Sequence, residues 1–234
     1  MKRISLTING HAVSGQAGQT LLQVARKHGV AIPTLCNFPG LSALGACRVC
    51  IVEVAGYPRP VPACATTAEQ GMSVSTDSVR IQDARRMIVE LLLAERTHTC
   101  PVCVMDGNCE LQSLAKLLGV DHVRYGFMAP KMTVDLSQPR YGIDHSRCIL
   151  CRRCVRVCDE VEGAHTWDVS GRGAESRIIS DLAEAWGDSA TCTGCGKCVQ
   201  ACPTGALFEK GAEKTPKGTI CLERLVEWRG RKHR

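Results

Sequence analysis

Near the N-terminus apolar and polar positions alternate: Ile4, Leu6 and Ile8 are separated by Ser5 and Thr7, the period of a strand with one buried face. Asn9-Gly10 follows, then HAVSG. A tight hairpin is expected there, because Asn and Gly accept the positive φ angles of a two-residue turn. Thr20 is placed to cap a short helix over TLLQVARKHG, with Leu21, Leu22, Val24 and Ala25 as its apolar face and Gly29 at its end. IVEVAG and the segment at Val61 read as further strands. From Asp77 the period lengthens. Ile81, Ala84, Ile88, Leu91 and Leu92 recur at three- and four-residue spacing, which predicts an amphipathic helix starting at Asp77 or Ser78, its stripe serving as core packing. A second short helix is expected over ELQSLAKLLG, closed by Gly119, and strand character around Met132 to Leu136 within a connecting segment over 120–142.

Cysteine changes this picture. The 234 residues include sixteen Cys but only three each of Trp, Tyr and Phe. Length alone allows one or two domains, whereas the grouping of the cysteines predicts three small ones over residues 1–76, 77–122 and 123–234. Domains of that size bury too little apolar surface to be secure unaided. Whatever the cysteines bind is therefore expected to hold up the fold, and its loss to unfold the chain locally. Disulfides would need an oxidising compartment. MKRISLTINGHAVSG lacks the apolar core of a signal peptide, and no stretch approaches a transmembrane length, so a cytoplasmic protein without membrane contact is expected.

Between Cys148 and Cys202 the spacing C-x2-C-x2-C-x3-C occurs twice, as CILCRRCVRVC and CTGCGKCVQAC. In two-cluster proteins three close thiolates wrap one [4Fe–4S] cluster and the fourth Cys of each run ligates the other. That rule assigns Cys148, Cys151, Cys154 and Cys202 to one cluster, and Cys192, Cys195, Cys198 and Cys158 to a second. Pro203 follows Cys202 but Asp159 follows Cys158; the proline shapes the exiting chain and is not a ligand. Upstream, Cys36, Cys47, Cys50 and Cys64 have the spacing C-x10-C-x2-C-x13-C. Plant-type [2Fe–2S] ferredoxins use C-x4-C-x2-C and a distant fourth Cys, so the close pair is retained and the first interval is longer. Glycines in PGLSALGACRVC suit a loop whose backbone must approach sulfide and thiolate. Hairpin, helix, then cysteine loop is the order of a β-grasp ferredoxin, and a [2Fe–2S] cluster is expected.

In the middle segment Cys100, Cys103 and Cys109 leave a cubane cluster one ligand short. Imidazole is a competent iron ligand, and His98 is the expected fourth. His122 and His145 are the other histidines in reach; His145 is expected to be an outer-shell or surface residue. One neutral imidazole should shift that cluster's potential relative to an all-thiolate one. Cys221 remains over and is expected to be a buried structural thiol. Zinc is the competing reading. Zinc sites would make the chain a scaffold for a partner or nucleic acid, although two C-x2-C-x2-C-x3-C runs exceed the paired knuckles that one structural zinc needs.

The formal charge of +6 counts every Cys as a neutral thiol. Three all-thiolate clusters and one with a His ligand would together contribute about −7, leaving the whole near neutral. The basic excess is thus expected to be internal compensation rather than a nucleic-acid footprint, and the terminal WRGRKHR a solvated end. GRGAES, within the insertion from Asp159 to Thr191, lacks G-x-G-x-x-G spacing and a preceding strand, so no nucleotide site is expected. No flavin, nicotinamide or nucleophile–base constellation is visible, and no catalytic residue is assigned.

A β-grasp cysteine module, then His plus C-x2-C-x5-C, then a two-cluster ferredoxin resembles the N-terminal part of the large iron–sulfur subunit of respiratory NADH dehydrogenase (complex I). It also resembles the start of [FeFe]-hydrogenases and of NAD-dependent formate dehydrogenases. Those relatives continue into a molybdopterin-type or H-cluster domain, whereas this chain stops about thirty residues after Cys202. Complex I subunits place the ligand His four residues before the first Cys, where this sequence has Arg96; here the order is His98-Thr99-Cys100. Short length and ERTHTC are similar to the diaphorase gamma subunits of cytoplasmic NAD-reducing [NiFe]-hydrogenases. The resemblance implies an α+β chain with one [2Fe–2S] and three [4Fe–4S] clusters, relaying single electrons. It also implies partners: a diaphorase subunit holding FMN and NAD on one side, and the hydrogenase small subunit with its NiFe large subunit on the other. A wire subunit of a formate dehydrogenase or complex I-like enzyme is the alternative with a different terminal substrate.

Overall fold

A computed structural model of the chain describes residues 2–128 and 131–212; Cys221 and the basic terminus lie outside the described residues. Two compact units are present. The first takes residues 1–37, 43–91 and 114–122, the second 38–42, 92–113 and the remainder.

The first unit begins with β1 (Arg3–Ile8) and β2 (His11–Gln16), antiparallel with Ile8 opposite His11. Asn9 and Gly10 turn the chain between them at φ of 50° and 79°. The Asn9 amide also grips Thr76, donating to its Oγ1 and accepting from its N–H, each at 2.8 Å. Helix α1 (Leu21–Lys27) starts with a reciprocal capping box in which Thr20 and Gln23 satisfy each other's backbone N–H. Its four expected apolar residues are all buried, and each large one contributes about 1.5–3 kcal/mol. The helix lies so close to β2 that a Cβ added at Gly15 would stand 2.7 Å from Val24 Cγ2. Strands β3 (Ile51–Val54), β4 (Val61–Pro62) and β5 (Ser73–Ser75) complete a five-stranded sheet of order β2-β1-β5-β3-β4. β5 runs parallel to β1 and the other pairs are antiparallel. A mixed sheet grasping one helix, with Cys50 and Cys64 buried in its core, is the β-grasp arrangement.

Helix α2 (Val79–Glu95) follows, its first turn closed by Ser78 Oγ on the Ile81 N–H. The buried positions are Ile81, Arg85, Val89, Glu90 and Ala94. The expected stripe is therefore displaced: Ala84 and Ile88 are half-buried and Leu91 is exposed. The cause is Arg85, whose guanidinium donates to three backbone carbonyls and so claims the inward position. Helix α3 (Glu110–Leu117) ends as expected at Gly119, with φ of 65°.

In the second unit β6 (Val134–Asp135), β7 (Tyr141–Asp144) and β10 (Leu207–Glu209) form an antiparallel sheet of order β10-β7-β6. The strand anticipated at 132–136 is thus only two residues long. β8 (Trp167–Ser170) and β9 (Arg177–Ser180) pair as a hairpin. A strand therefore does precede GRGAES, contrary to expectation, and that segment is the hairpin's connection. Two short helices carry the paired cysteine runs: α4 (Arg153–Arg156), which continues as a π-helical turn over Val157–Glu162, and α5 (Lys197–Ala201). Their core joins Cys154, Cys158, Cys198 and Cys202 to Ile143, Val157, Trp167, Ile178, Trp186 and Leu207. Among the described residues no helix is long and apolar enough to cross a membrane.

Candidate metal centres

Among the described residues the cysteines gather at four places. In the first unit Cys36, Cys47, Cys50 and Cys64 lie within hydrogen-bonding reach of one another, and the Cys36 N–H points at Cys47 Sγ from 3.4 Å. Hydrogen bonds with Cys47 and Cys64 pull the Cys36 thiol down to about 2 against its burial. Bonds with Cys36 and Cys50, reinforced by burial, push Cys64 the other way. Such opposed shifts mark sulfurs packed closely enough to compete for protons. The loop reaches this geometry through left-handed backbone at Gly45 and Arg48, with φ of 64° and 59°.

In the second unit His98, Cys100, Cys103 and Cys109 line one cavity of about 300 Å³, with Met105, Arg147 and Gly205 among its walls. His122 and His145 do not line it. His122 is exposed beside Asp121, and His145 is buried, not at the surface. Burial holds the His98 imidazole below its ordinary pKa and hence neutral. Its Nε2 stands 3.1 Å from the Leu92 carbonyl, a bond made by the Nε2–H tautomer, which leaves the lone pair on Nδ1. Burial also pushes Cys109 up to about 11. Arg96, the residue standing where complex I subunits have their histidine, is 1 % exposed and donates to the Ser176 carbonyl at 2.7 Å.

Cys148, Cys151, Cys154 and Cys202 line a cavity of about 340 Å³ walled by Ile143, Ile149, Ile178 and Leu207. Cys158, Cys192, Cys195 and Cys198 line another of about 310 Å³ beneath Tyr141, Trp167 and Trp186. The fourth cysteine of each run thus meets the first three of the other. Burial pushes Cys148, Cys151 and Cys198 up to about 12 and Cys154 well above its usual value. As thiolates these groups persist only with a cationic partner.

Backbone shape gives an independent test of whether a cluster fits. Leu150 and Arg152 have φ of 51° and 56°, and Gly194 and Gly196 have 66° and 70°. Each pair occupies the same two places of its run, just before and just after the second cysteine. Left-handed backbone costs a non-glycine residue about 1–2 kcal/mol, and it survives only where its surroundings enforce it. Alternating handedness turns successive N–H groups to one side, making a concavity for anions of the kind found at iron–sulfur sites. The Leu150 N–H, 3.4 Å from Cys148 Sγ, is one of these donors. Buried cations stand alongside in equivalent places: Arg153 precedes Cys154 and forks onto both Glu110 oxygens at 2.7 Å, while Lys197 precedes Cys198 and pairs with Glu162. The donor set, the inward N–H groups and the buried cations all suit dianionic clusters. Among the described residues no three His, Cys, Asp or Glu side chains converge as ligands of a single metal ion.

Three family models match in order: a 2Fe-2S iron–sulfur cluster binding domain over residues 1–79, the NADH-ubiquinone oxidoreductase-G iron–sulfur binding region over 85–124, and the ferredoxin-like domain of NADH-quinone oxidoreductase subunit 3 over 139–208. Among curated proteins the chain is 39% identical over 207 residues to the NADPH-Fe(3+) oxidoreductase subunit alpha of Geobacter sulfurreducens, covering 88% of this chain but 24% of that protein. It is 35% identical over 210 residues to the gamma subunit of the NAD-reducing hydrogenase HoxS of Cupriavidus necator, covering 88% of this chain and 87% of that one. A chain in the crystal structure of an NAD+-reducing [NiFe]-hydrogenase in the H2-reduced state superposes with a TM-score of 0.84 at 34% identity, over 90% of this chain and 88% of that chain. This is an α+β iron–sulfur protein, and it belongs to the family of the gamma chain of NAD-reducing hydrogenase, related to the large iron–sulfur subunit of NADH dehydrogenases.

Proposed function

We propose that this chain is the electron-relay subunit of a cytoplasmic NAD-reducing [NiFe]-hydrogenase. It passes single electrons between an FMN- and NAD-binding diaphorase subunit and the hydrogenase small subunit with its NiFe-bearing large subunit. The reading rests above all on four sulfur-lined sites in one chain, two of them reciprocally shared, in a protein spanning most of a hydrogenase gamma chain. Its modules are 1–76, 77–122 and 123–234. The first holds a [2Fe–2S] cluster through Cys36, Cys47, Cys50 and Cys64. The others hold three [4Fe–4S] clusters through His98 with Cys100, Cys103 and Cys109; through Cys148, Cys151, Cys154 and Cys202; and through Cys192, Cys195, Cys198 and Cys158.

Bound iron–sulfur clusters supply one-electron chemistry over a potential range set by ligands, charge and hydrogen bonds. The chain's own groups set those conditions. Thiolates and the neutral His98 fix charge at each site, Arg153 and Lys197 offset it, and the walls of Ile, Leu and Trp exclude water. Among the described residues no side chain is arranged as a nucleophile with a positioned base, and the role read for the chain is electron carriage, with the substrate sites on its partners.

Iron and acid-labile sulfide should be abundant in anaerobically purified protein, and nickel should accompany its partners. Replacing Cys50 or Cys151 by Ser should abolish hydrogen-driven NAD reduction by the complex while leaving hydrogen uptake with an artificial acceptor at the NiFe subunits. Zinc without sulfide, or unimpaired NAD reduction in both variants, would refute the assignment. Chelation of iron under reducing conditions should also loosen the second unit, whose core includes four of the cysteines. The expected signs are loss of near-ultraviolet circular dichroism from Trp167 and Trp186 and rapid proteolysis. A near-ultraviolet signal unchanged by complete iron removal would show that the fold does not depend on the metal.

A further inference from the structure

The two ferredoxin-type sites repeat each other in cysteine spacing, left-handed positions and buried cation, yet differ sharply at one place. Six residues before the first cysteine of each run stands Gly142 in one case and Trp186 in the other. Trp186 is 2 % exposed, and its indole Nε1–H lies 3.2 Å from Cys192 Sγ. A buried indole N–H needs an acceptor, and here the acceptor is a sulfur of the site itself rather than a carbonyl. The ring is held in place for that contact. Tyr141 stacks on it at 5.9 Å and 18°, Trp167 meets it edge-on at 4.7 Å, and its backbone N–H donates to Asp135 Oδ2 at 2.7 Å. Trp167 itself lines the same site. The companion site is walled by Ile143, Ile149 and Ile178.

We infer that Trp186, carried by the insertion between the two cysteine runs, is a positioning residue whose indole N–H raises the reduction potential of the cluster bound by Cys158, Cys192, Cys195 and Cys198. The inference rests on the cluster reading of that site. Reduction adds negative charge that spreads onto the thiolates, so a fixed N–H donor stabilises the reduced state more than the oxidised one. The electron comes from whatever reductant the cluster meets, and no bond to the indole is made or broken. Trp186→Phe keeps the ring and removes the donor.

The test is a redox titration of the full-length holoprotein with dithionite, following the reduced cluster by electron paramagnetic resonance, its signal assigned by its loss in Cys195→Ser. Trp186→Phe should move the one-electron equilibrium about tenfold toward the oxidised state, a fall of about 59 mV. The signal of the Cys148-containing cluster should stay put in this variant. If Trp186→Phe retains full iron and sulfide and titrates with the wild type, the tuning role is wrong and the cluster reading stands. If wild-type protein lacks iron and sulfide at this site, the reading beneath it falls too. Should Trp186→Phe lose the cluster, pulsed measurements on unaltered protein labelled with 15N-indole decide the matter: coupling of the reduced cluster to an indole nitrogen is expected, and its absence overturns the role.

Discussion

Replacing Arg85 by Leu is expected to lower the stability of the first unit by about 3–5 kcal/mol, a large share of what holds a small domain together. Its side chain is 3 % exposed and donates from Nε to the Val49 carbonyl at 3.1 Å, from Nη1 to Thr76 at 2.9 Å and from Nη2 to Ile51 at 2.9 Å. Leucine would restore the apolar volume but leave three dry carbonyls, each worth about 1–3 kcal/mol when unsatisfied. Two of those carbonyls flank Cys50, so the sulfur-bearing loop should loosen with the helix contact. In urea denaturation of the iron-loaded protein the midpoint should fall, and the visible absorbance of the [2Fe–2S] site should bleach faster than in the wild type. Arg85→Lys should lie between, since one ammonium lacks the planar fork that reaches three carbonyls at once. A wild-type midpoint for Arg85→Leu would show that the carbonyls find other partners.

Arg85 also marks where sequence reading stops. An arginine at a helical spacing counts as polar, and the apolar spacing points to Ala84, Ile88 and Leu91 instead. Only the fold shows that loop carbonyls from far upstream leave an inward position that a long, forked donor satisfies. The hairpin and α1 are legible because their signals are local. Asn9-Gly10 states its own turn, and Thr20 with Gln23 states its own cap. The gathering of the cysteines at four places is legible for a related reason, since close sulfur spacing fixes which side chains can meet, and the exchange of Cys158 and Cys202 between the last two cavities follows from a general rule. The β8–β9 hairpin is not, because WDVS and RIIS are only four residues each, too short for a period to stand out from its surroundings. Burial of His145 and the indole contact to Cys192 depend on tertiary packing that no spacing encodes.

Gly205→Ala should remove the His98-associated site while sparing the other three. A Cβ there would stand 2.6 Å from Cys103 Sγ and 3.3 Å from Met105 Cγ. Contacts under 3.0 Å force something to move, and the backbone at Gly205 has little room to do so. Thr204 Oγ1 donates to the Arg147 carbonyl at 2.8 Å on one side, and the Asp144 N–H donates to the Ala206 carbonyl at 2.7 Å on the other. The sulfur must therefore be displaced, and on the proposed ligation a shift of that size leaves a cubane cluster one bond short. Iron should fall by about four atoms per chain, the complement of one [4Fe–4S] cluster, with the remaining paramagnetic signals unchanged. Overpacking alone costs about 1–3 kcal/mol, so the protein should still fold and the loss should read as a defect of one site. Gly126→Ala, where an added Cβ meets nothing within 4 Å, should keep all its iron. A Gly205→Ala protein with full iron and an unaltered spectrum would mean that Cys103 can be pushed aside and still bind.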